Sequence, residues 1–350
     1  MSRDLTIISA GSAARQLDPD CPDVYFTAGY GQATATVESG TWQLAHRDGR
    51  IMLPYVVRDV NGVDADATSP YGYAGVHVAP DCAPGELADF WARAIDHWRD
   101  TGMVSLFLRF SPLDVASVEA VRQLGVDLTR RPDTITVDVT SGPDQVWDRM
   151  EGRSRTAIRK ARNCGLTAGV RPTVGTDLLA DSPFRQLYEQ TMVRLGSRPW
   201  YLFPDRYYHQ LASGLDKALS VAEVRDACGA VVASALVMRH RDRAHYHLAG
   251  SDPVAARNGA NNLILWTILE WAAENGCRWV HLGGGLTADD GLFRFKRSFG
   301  GARTPFWTGS VVVDPRRYEV LLADRAARLG RSVEDVRAAG FFPAYRTGNS

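Results

Sequence analysis

One order of elements occurs twice in this chain, and it limits the possible folds more than any single motif does. The order is helix, two strands joined by a tight turn, another strand, a helix and a final strand. In the first half, residues 28–38 have helical spacing, and Asp48-Gly49 lies between the apolar runs 42–45 and 51–57. Asp-Gly between apolar runs is among the strongest short-range hairpin signals. Leu87, Phe90, Trp91, Ala94, Ile95 and Trp98 then recur at helical spacing, which predicts an amphipathic helix over 86–101 that stops at Gly102. A strand at 103–110, a short helix at 115–124 and a strand at 134–139 follow. In the second half, helices are expected at 144–162, 181–196 and near 205–215. A hairpin (219–227 and 230–239) turns at Cys228-Gly229. A strand at 244–250, a long helix at 258–276, a strand at 278–283, a helix near 288–298 and a strand at 306–313 complete the copy. Two α/β domains with mixed sheets flanked by helices are therefore expected, at 1–143 and 144–313. The tail, 314–350, carries Tyr318, Leu321, Leu322, Ala326 and Leu329 on one helical stripe and is expected to pack on the first domain.

Composition supports two cores. The chain has 350 residues, 45% of them hydrophobic, and single cores seldom grow past about 250 residues. Forty basic residues balance forty acidic ones, which excludes a nucleic-acid binder that is basic throughout and leaves room for a local basic patch. No run of about 18 apolar residues exists, so no membrane span is expected. Met1-Ser2-Arg3-Asp4 lacks the layout of a secretion signal, and a cytoplasmic location is expected. Cys21, Cys82, Cys164, Cys228 and Cys277 are scattered without CxxC spacing. They read as reduced, mostly buried thiols, with neither a metal site nor a disulfide framework.

Four stretches have the residues for chemistry. SPYGYAG (69–75) puts Tyr71 and Tyr73 among glycines on a loop, giving phenol donors beside a backbone that a ligand can approach closely. Arg109, at the end of the 103–110 strand, joins them as a substrate-binding candidate. The basic segment around 149–162 sets Arg155, Arg159 and Arg162 on one helical face, opposite Ile158 and Ala161. That face is either solvated or directed at phosphates. Between Arg198 and Tyr208, aromatics alternate with arginines, and Arg198 and Tyr201 are candidates for binding substrate while core packing explains Trp200, Phe203 and Tyr207 equally well. In AHYHLAGS (244–251), Tyr246 and His247 face opposite sides of a strand, one of them the cleft. The fourth stretch is HLGGG (281–285) followed by GLFRFKRSFG (291–300). Glycines after His281 allow a sharp turn, and Lys296 sits between Phe295 and Phe299. Only Lys160, Lys217 and Lys296 among the forty basic residues are lysines, so a lysine in an aromatic frame stands out.

The order of elements resembles that of the GNAT-like N-acyltransferase unit, here in tandem. SPYGYAG, RSRTAIRKARNCGL, YHLAGS and above all GLFRFKRSFG resemble the Fem-type aminoacyltransferases over residues 23–313. That resemblance implies two GNAT-like domains and transfer of an amino acid from aminoacyl-tRNA to an amine, on a peptidoglycan precursor or on a small peptide or nucleoside acceptor. It implies that Phe295 and Lys296 lie near the acceptor end of the tRNA and that Arg198 and Tyr201 contact an acceptor phosphate. Two departures bear on the acceptor: no sustained heptads mark a coiled-coil arm, and His281 stands where many members have an aspartate.

An aminoacyl ester is already activated, so an amine can attack it without an acyl-enzyme, and no Ser-His-Asp or Cys-His order stands out. The protein has to orient two substrates and stabilise the tetrahedral oxyanion, with Lys296 as the candidate donor. No cofactor is expected beyond the aminoacyl-tRNA co-substrate. An acyl-CoA-dependent N-acyltransferase is the alternative. It calls for glycine-rich backbone amides at a helix start to hold a pyrophosphate, and AARNGANN (255–262) is a degraded match. A non-catalytic binding protein with an aromatic cleft is the rival from another class. The sequence leaves the amino acid, the acceptor, the general base and the oligomeric state open.

Overall fold

A computed structural model of the chain describes residues 5–9, 11 and 15–348, so Met1–Asp4, read above for a leader, lie outside it. Two compact units result, one of Met1–Arg131 with Phe306–Ser350, the other of Pro132–Pro305. In chain order unit 1 supplies β1 (Thr6–Ser9), α1 (Ala28–Glu38), β2 (Thr41–Arg47), β3 (Ile51–Asp59) and β4 (Ala65–Thr68). β5 (His77–Val78), α2 (Pro84–Asp100), β6 (Met103–Arg109) and α3 (Val115–Val121) follow. After β7 (Asp127–Asp138), unit 2 contains α4 (Pro143–Arg149), α5 (Gly152–Asn163), β8 (Thr167–Pro172), α6 (Pro183–Arg194) and α7 (Asp205–Leu215). It continues with β9 (Leu219–Arg225), β10 (Val231–His240), β11 (Arg243–Ser251), α8 (Pro253–Arg257), α9 (Ala260–Glu274), β12 (Trp279–Gly283) and α10 (Gly291–Arg297). β13 (Ala302–Val312), α11 (Pro315–Leu329) and α12 (Val333–Ala338) complete the set.

The two units share one strand pattern. In unit 1, β1, β2, β3 and β4 are antiparallel neighbours, β4 runs parallel to β6, and β13 pairs antiparallel with β6. In unit 2, β8 to β11 are antiparallel neighbours, β11 runs parallel to β12, and β7 pairs antiparallel with β12. The parallel step needs a helical crossover, supplied by α2 in unit 1 and α9 in unit 2. The hairpin at Asp48-Gly49 forms as its sequence directs, with both residues at positive φ (49° and 70°), the backbone a two-residue turn between twisted strands requires.

Each unit has its own core. Leu87, Phe90, Trp91, Ala94 and Trp98 of α2 bury against Tyr55, Leu106 and Leu108 of the unit 1 sheet. In unit 2, Leu263, Ile264, Ile268 and Leu269 of α9 pack with Ile158 and Ala161 of α5 and with Val224, Val237 and Val280 from the strands. The tail packs within unit 1, where Tyr318, Leu321, Leu322 and Ala326 cluster with Val104 of β6.

Several expectations need correction. The helix expected at 144–162 is two helices, because Met150 and Glu151 are extended and the Glu151 N–H donates to the Ser298 carbonyl at 2.9 Å. The helix expected at 258–276 forms as a single helix from Ala260 to Glu274, with Gly259 at φ 91° as its N-cap. The strand expected at 134–139 begins at Asp127. The division between units falls within β7 and β13, at 131/132 and 305/306, whereas the sequence reading placed it at loops near 143 and 313. Of the cysteines, Cys21 and Cys277 are buried and Cys164 and Cys228 exposed, so burial explains only part of the set. Among the described residues no helix is long and apolar enough to cross a membrane.

Candidate active site

In unit 2 the candidate site forms where β12 ends. Three glycines, Gly283 to Gly285, carry the chain off the strand, and Gly283 takes φ 72°. Asp290 then winds the following turn around its carboxylate. Its oxygens accept the N–H groups of Leu286 at 2.6 Å and Thr287 at 3.1 Å, and that of Phe293 at 2.7 Å as the N-cap of α10. The turn is tight enough that a Cβ on Gly285 would lie 2.2 Å from an Asp290 carboxylate oxygen. Burial acts to raise the Asp290 pKa, but the backbone donors outweigh it and hold the carboxyl below its ordinary value.

Lys296 follows from that geometry. Helix α10 buries Phe293 and Lys296 and leaves Phe295 half-buried in an edge-on contact with Phe299, ring centres 5.4 Å apart. The Lys296 ammonium is 8% exposed and donates to the Gly284 carbonyl at 2.7 Å. Burial lowers its pKa from 10.5 to about 8, against the pull of the Asp290 charge. An ammonium has three protons to donate. One goes to Gly284.

The neighbouring strands bring histidines together. β11 and β12 are in register with His245 opposite His281, both buried, their Nδ1 atoms 3.4 Å apart. Two residues on, a bulge interrupts the β10–β11 pairing. There His247 Nε2 hydrogen-bonds the Tyr207 hydroxyl at 2.8 Å. Burial, helped by His245, lowers the His247 pKa to about 3 and keeps the ring neutral at pH 7. The Tyr246 phenol is raised by burial and stays protonated.

The other candidates are more dispersed. Arg155, Arg159 and Arg162 do not form one phosphate-facing row. Arg155 turns onto the last carbonyls of α4, Trp147 at 3.2 Å, Asp148 at 3.1 Å, and Met150, and so serves as a C-terminal cap. Arg159 lies over the Trp147 ring, 5.4 Å from its centre, and Arg162 is exposed. Arg198 is exposed and precedes the short 3-10 turn Pro199–Tyr201. The Tyr201 carbonyl accepts the Tyr188 hydroxyl at 2.8 Å. Phe203 and Tyr207 stack at 4.4 Å inside a buried aromatic cluster, in keeping with core packing. In unit 1, Arg109 and Tyr71 meet, the guanidinium 5.7 Å from the ring centre, whereas Tyr73 lies edge-on to Tyr25 at 5.7 Å. A hollow of about 300 Å³ along β8 and β9 is walled by Arg171, Glu223 and Arg225, whose charges pair with one another.

Residues 152–297 match the family model described as an acetyltransferase (GNAT) domain. FemX superposes with a TM-score of 0.68 at 13% identity, over 90% of this chain and 99% of that one. Each unit carries the GNAT fold. The C-terminal domain of a putative lysylphosphatidylglycerol synthetase from Agrobacterium fabrum shares it at a TM-score of 0.56 and 16% identity, over 85% of this chain and 90% of that one. A tandem GNAT protein from the clavulanic acid biosynthesis pathway follows at 0.50 and 11%, over 89% and 99%. At these identities the likeness is one of fold, and no curated protein matches the sequence. Through its bond to Gly284, Lys296 lies beside the end of β12. Sequence reasoning missed Asp290, although an aspartate just before a helical run is an N-cap signal, and it missed Tyr25 and Tyr30 beside Tyr71.

Proposed function

We propose that this acyltransferase fold moves an amino acid from aminoacyl-tRNA to the amine of a small peptide-like or nucleotide-linked acceptor. The observation that carries the choice of donor is the turn at 252–259, where a GNAT fold would hold the pyrophosphate of an acyl-CoA on backbone amides. Here the Asp252 carboxylate accepts the N–H groups of Val254 and Ala255 at 2.8 and 2.9 Å. The amides of Ala256, Asn258 and Gly259 donate to carbonyls of the same turn. A Cβ on Gly259 would come within 2.3 Å of the Ala157 carbonyl, so α5 covers the start of α9. A carboxylate in that position repels a diphosphate, and the amides of Val254, Ala255, Ala256, Asn258 and Gly259 are already employed. Two of the fold neighbours have names that fit an aminoacyl donor, FemX and lysylphosphatidylglycerol synthetase.

The chemistry is direct aminolysis. The acceptor nitrogen attacks the ester carbonyl, the C–N bond forms, and the carbonyl electrons move onto oxygen. The intermediate collapses by breaking the ester C–O bond, and the proton lost from nitrogen ends on the departing ribose hydroxyl. Lys296, as the ammonium, donates to the oxyanion, an interaction stronger in the transition state than in the ground state. Phe295, its neighbour on α10, His281 on β12, and Tyr246 and His247 on β11 are assigned to substrate binding, as are Arg198 and Tyr201. Arg159 and Arg162 are left to meet tRNA phosphates. The test is Lys296→Ala, with turnover and donor affinity measured separately. Turnover should fall about 10²–10³-fold, as on loss of one oxyanion donor, with a smaller loss of donor affinity. Lys296→Arg should recover only part of it, because a guanidinium is larger and its protons point elsewhere. Weaker donor binding with intact turnover would make the residue an anchor and overturn its catalytic role.

A further inference from the structure

We propose that unit 1 holds a binding site of its own for an anionic group, a carboxylate or phosphate, centred on Arg109 and walled by Tyr71. Arg109 is the last residue of β6, which runs parallel to β4, so the two strands point their C-terminal ends the same way. In open α/β sheets ligands bind outside those ends. The loop after β4 starts beside Arg109, since the Arg109 N–H donates to the Ser69 hydroxyl at 3.1 Å and the Ser69 N–H to the Phe107 carbonyl at 2.8 Å. That loop is held rigidly. The Tyr30 hydroxyl donates to the Tyr71 carbonyl at 2.7 Å, and a Cβ on Gly72 would strike the Tyr25 ring at 2.4 Å. Tyr71 is thereby fixed against the guanidinium.

Arg109 lacks the partners that other buried and half-buried arginines have. Arg58 pairs with Glu38 and Asp66, and Arg185 with Glu189 and Asp205. Among the described residues no carboxylate pairs with Arg109, and its Nε is buried without a hydrogen bond. A buried donor left unsatisfied costs about 1–3 kcal/mol, so such a group is retained where something else satisfies it. Unit 2 has the same topological place, the end of β12 beside β11, and there the cation is Lys296, bonded to Gly284. Among the described residues the cation of unit 1 has no such protein acceptor. The Tyr30 phenol beside them adds no negative charge to the site, because burial holds its pKa far above the usual value. A planar guanidinium suits a two-oxygen anion, and an aromatic wall suits an apolar group attached to it. The site stands on unit 1 alone and holds whichever donor the chain uses.

The test uses the full chain labelled with ¹³C-tyrosine, with the Tyr71 signal assigned through Tyr71→Phe. Benzoate, inorganic phosphate and the neutral benzamide are titrated separately at constant ionic strength. A saturable shift of the Tyr71 signal with benzoate or phosphate and none with benzamide is expected, and the anion that acts names the source. Arg109→Gln should weaken binding by about tenfold or more, as loss of a charge-assisted pair does, with Arg109→Lys intermediate. No shift with either anion, or equal binding by folded Arg109→Gln, would overturn the site. If Arg109→Gln does not fold, equal binding of benzoate and benzamide by the wild type would overturn it.

Discussion

Replacing Lys296 with Met should make the protein more stable at neutral pH and nearly inactive. Below about pH 8 the folded chain holds a buried ammonium whose pKa has fallen from 10.5 to about 8. That gap corresponds to about 3 kcal/mol of destabilisation. Met matches the side chain in length and removes the charge. The loss of the 2.7 Å bond to the half-buried Gly284 carbonyl, which water can replace, offsets part of the gain. The net expectation is a stabilisation of about 1–2 kcal/mol at pH 7. The sign with pH follows from proton binding. Between pH 8 and 10.5 the unfolded lysine is protonated and the folded one is not, so wild-type stability rises with pH across that window. Lys296→Met should lack this rise, and its advantage should shrink from pH 7 to pH 10. Urea unfolding at both pH values, beside aminoacyl transfer at pH 7, reads the pattern. A variant less stable than the wild type at pH 7, by an amount independent of pH, would refute the reasoning and make Lys296 a structural cation.

Further outcomes follow from the same geometry. Turnover should fall as pH rises through about 8, where Lys296 loses its proton, and a rate flat to pH 10 would exclude an ammonium role. Asp290→Asn should lower the Lys296 pKa further by removing the one charge that supports the ammonium. Competitive amine labelling against pH reads this cleanly, because Lys160 and Lys217 are the only other lysines and serve as references, and an unchanged Lys296 profile would limit Asp290 to capping. Arg155→Ala should cost about 1–2 kcal/mol of stability by uncapping α4 and leave the salt dependence of tRNA binding alone. Arg159→Ala with Arg162→Ala should do the reverse, lowering affinity and flattening the salt slope, and equal effects of both changes would refute the division of roles.

What the sequence revealed and what it concealed divide along physical lines. The Asp48-Gly49 turn and the α2 stripe are local, because φ preferences and a 3.6-residue period are written in neighbouring residues. The repeated order of strands was legible for the same reason. The break at Met150-Glu151 was not, since it depends on a carbonyl at Ser298 that arrives from far along the chain. β8, TAGVRP, was missed because it is short and turns only two apolar side chains, Ala168 and Val170, onto the core. Lys296 drew attention through the rarity of lysine, yet its burial and its bond to Gly284 depend on the turn wound by Asp290. The three arginines of α5 share a helical face on paper, but Arg155 is diverted to the carbonyls of the preceding helix. Spacing places a side chain on a face, and only tertiary contacts decide whether it is free to meet a ligand.

The acyl donor separates the two chemistries, and a parallel transfer assay reads it. Purified protein is given, in parallel, tRNA charged with a mixture of ¹⁴C-amino acids and ¹⁴C-acetyl-CoA, each with the same pool of small-molecule amines. The account predicts that label leaves the tRNA and appears in a base-stable amide, that Lys296→Ala largely abolishes this transfer, and that acetyl-CoA is not consumed. Transfer of label from acetyl-CoA alone, with release of free CoA, would contradict it.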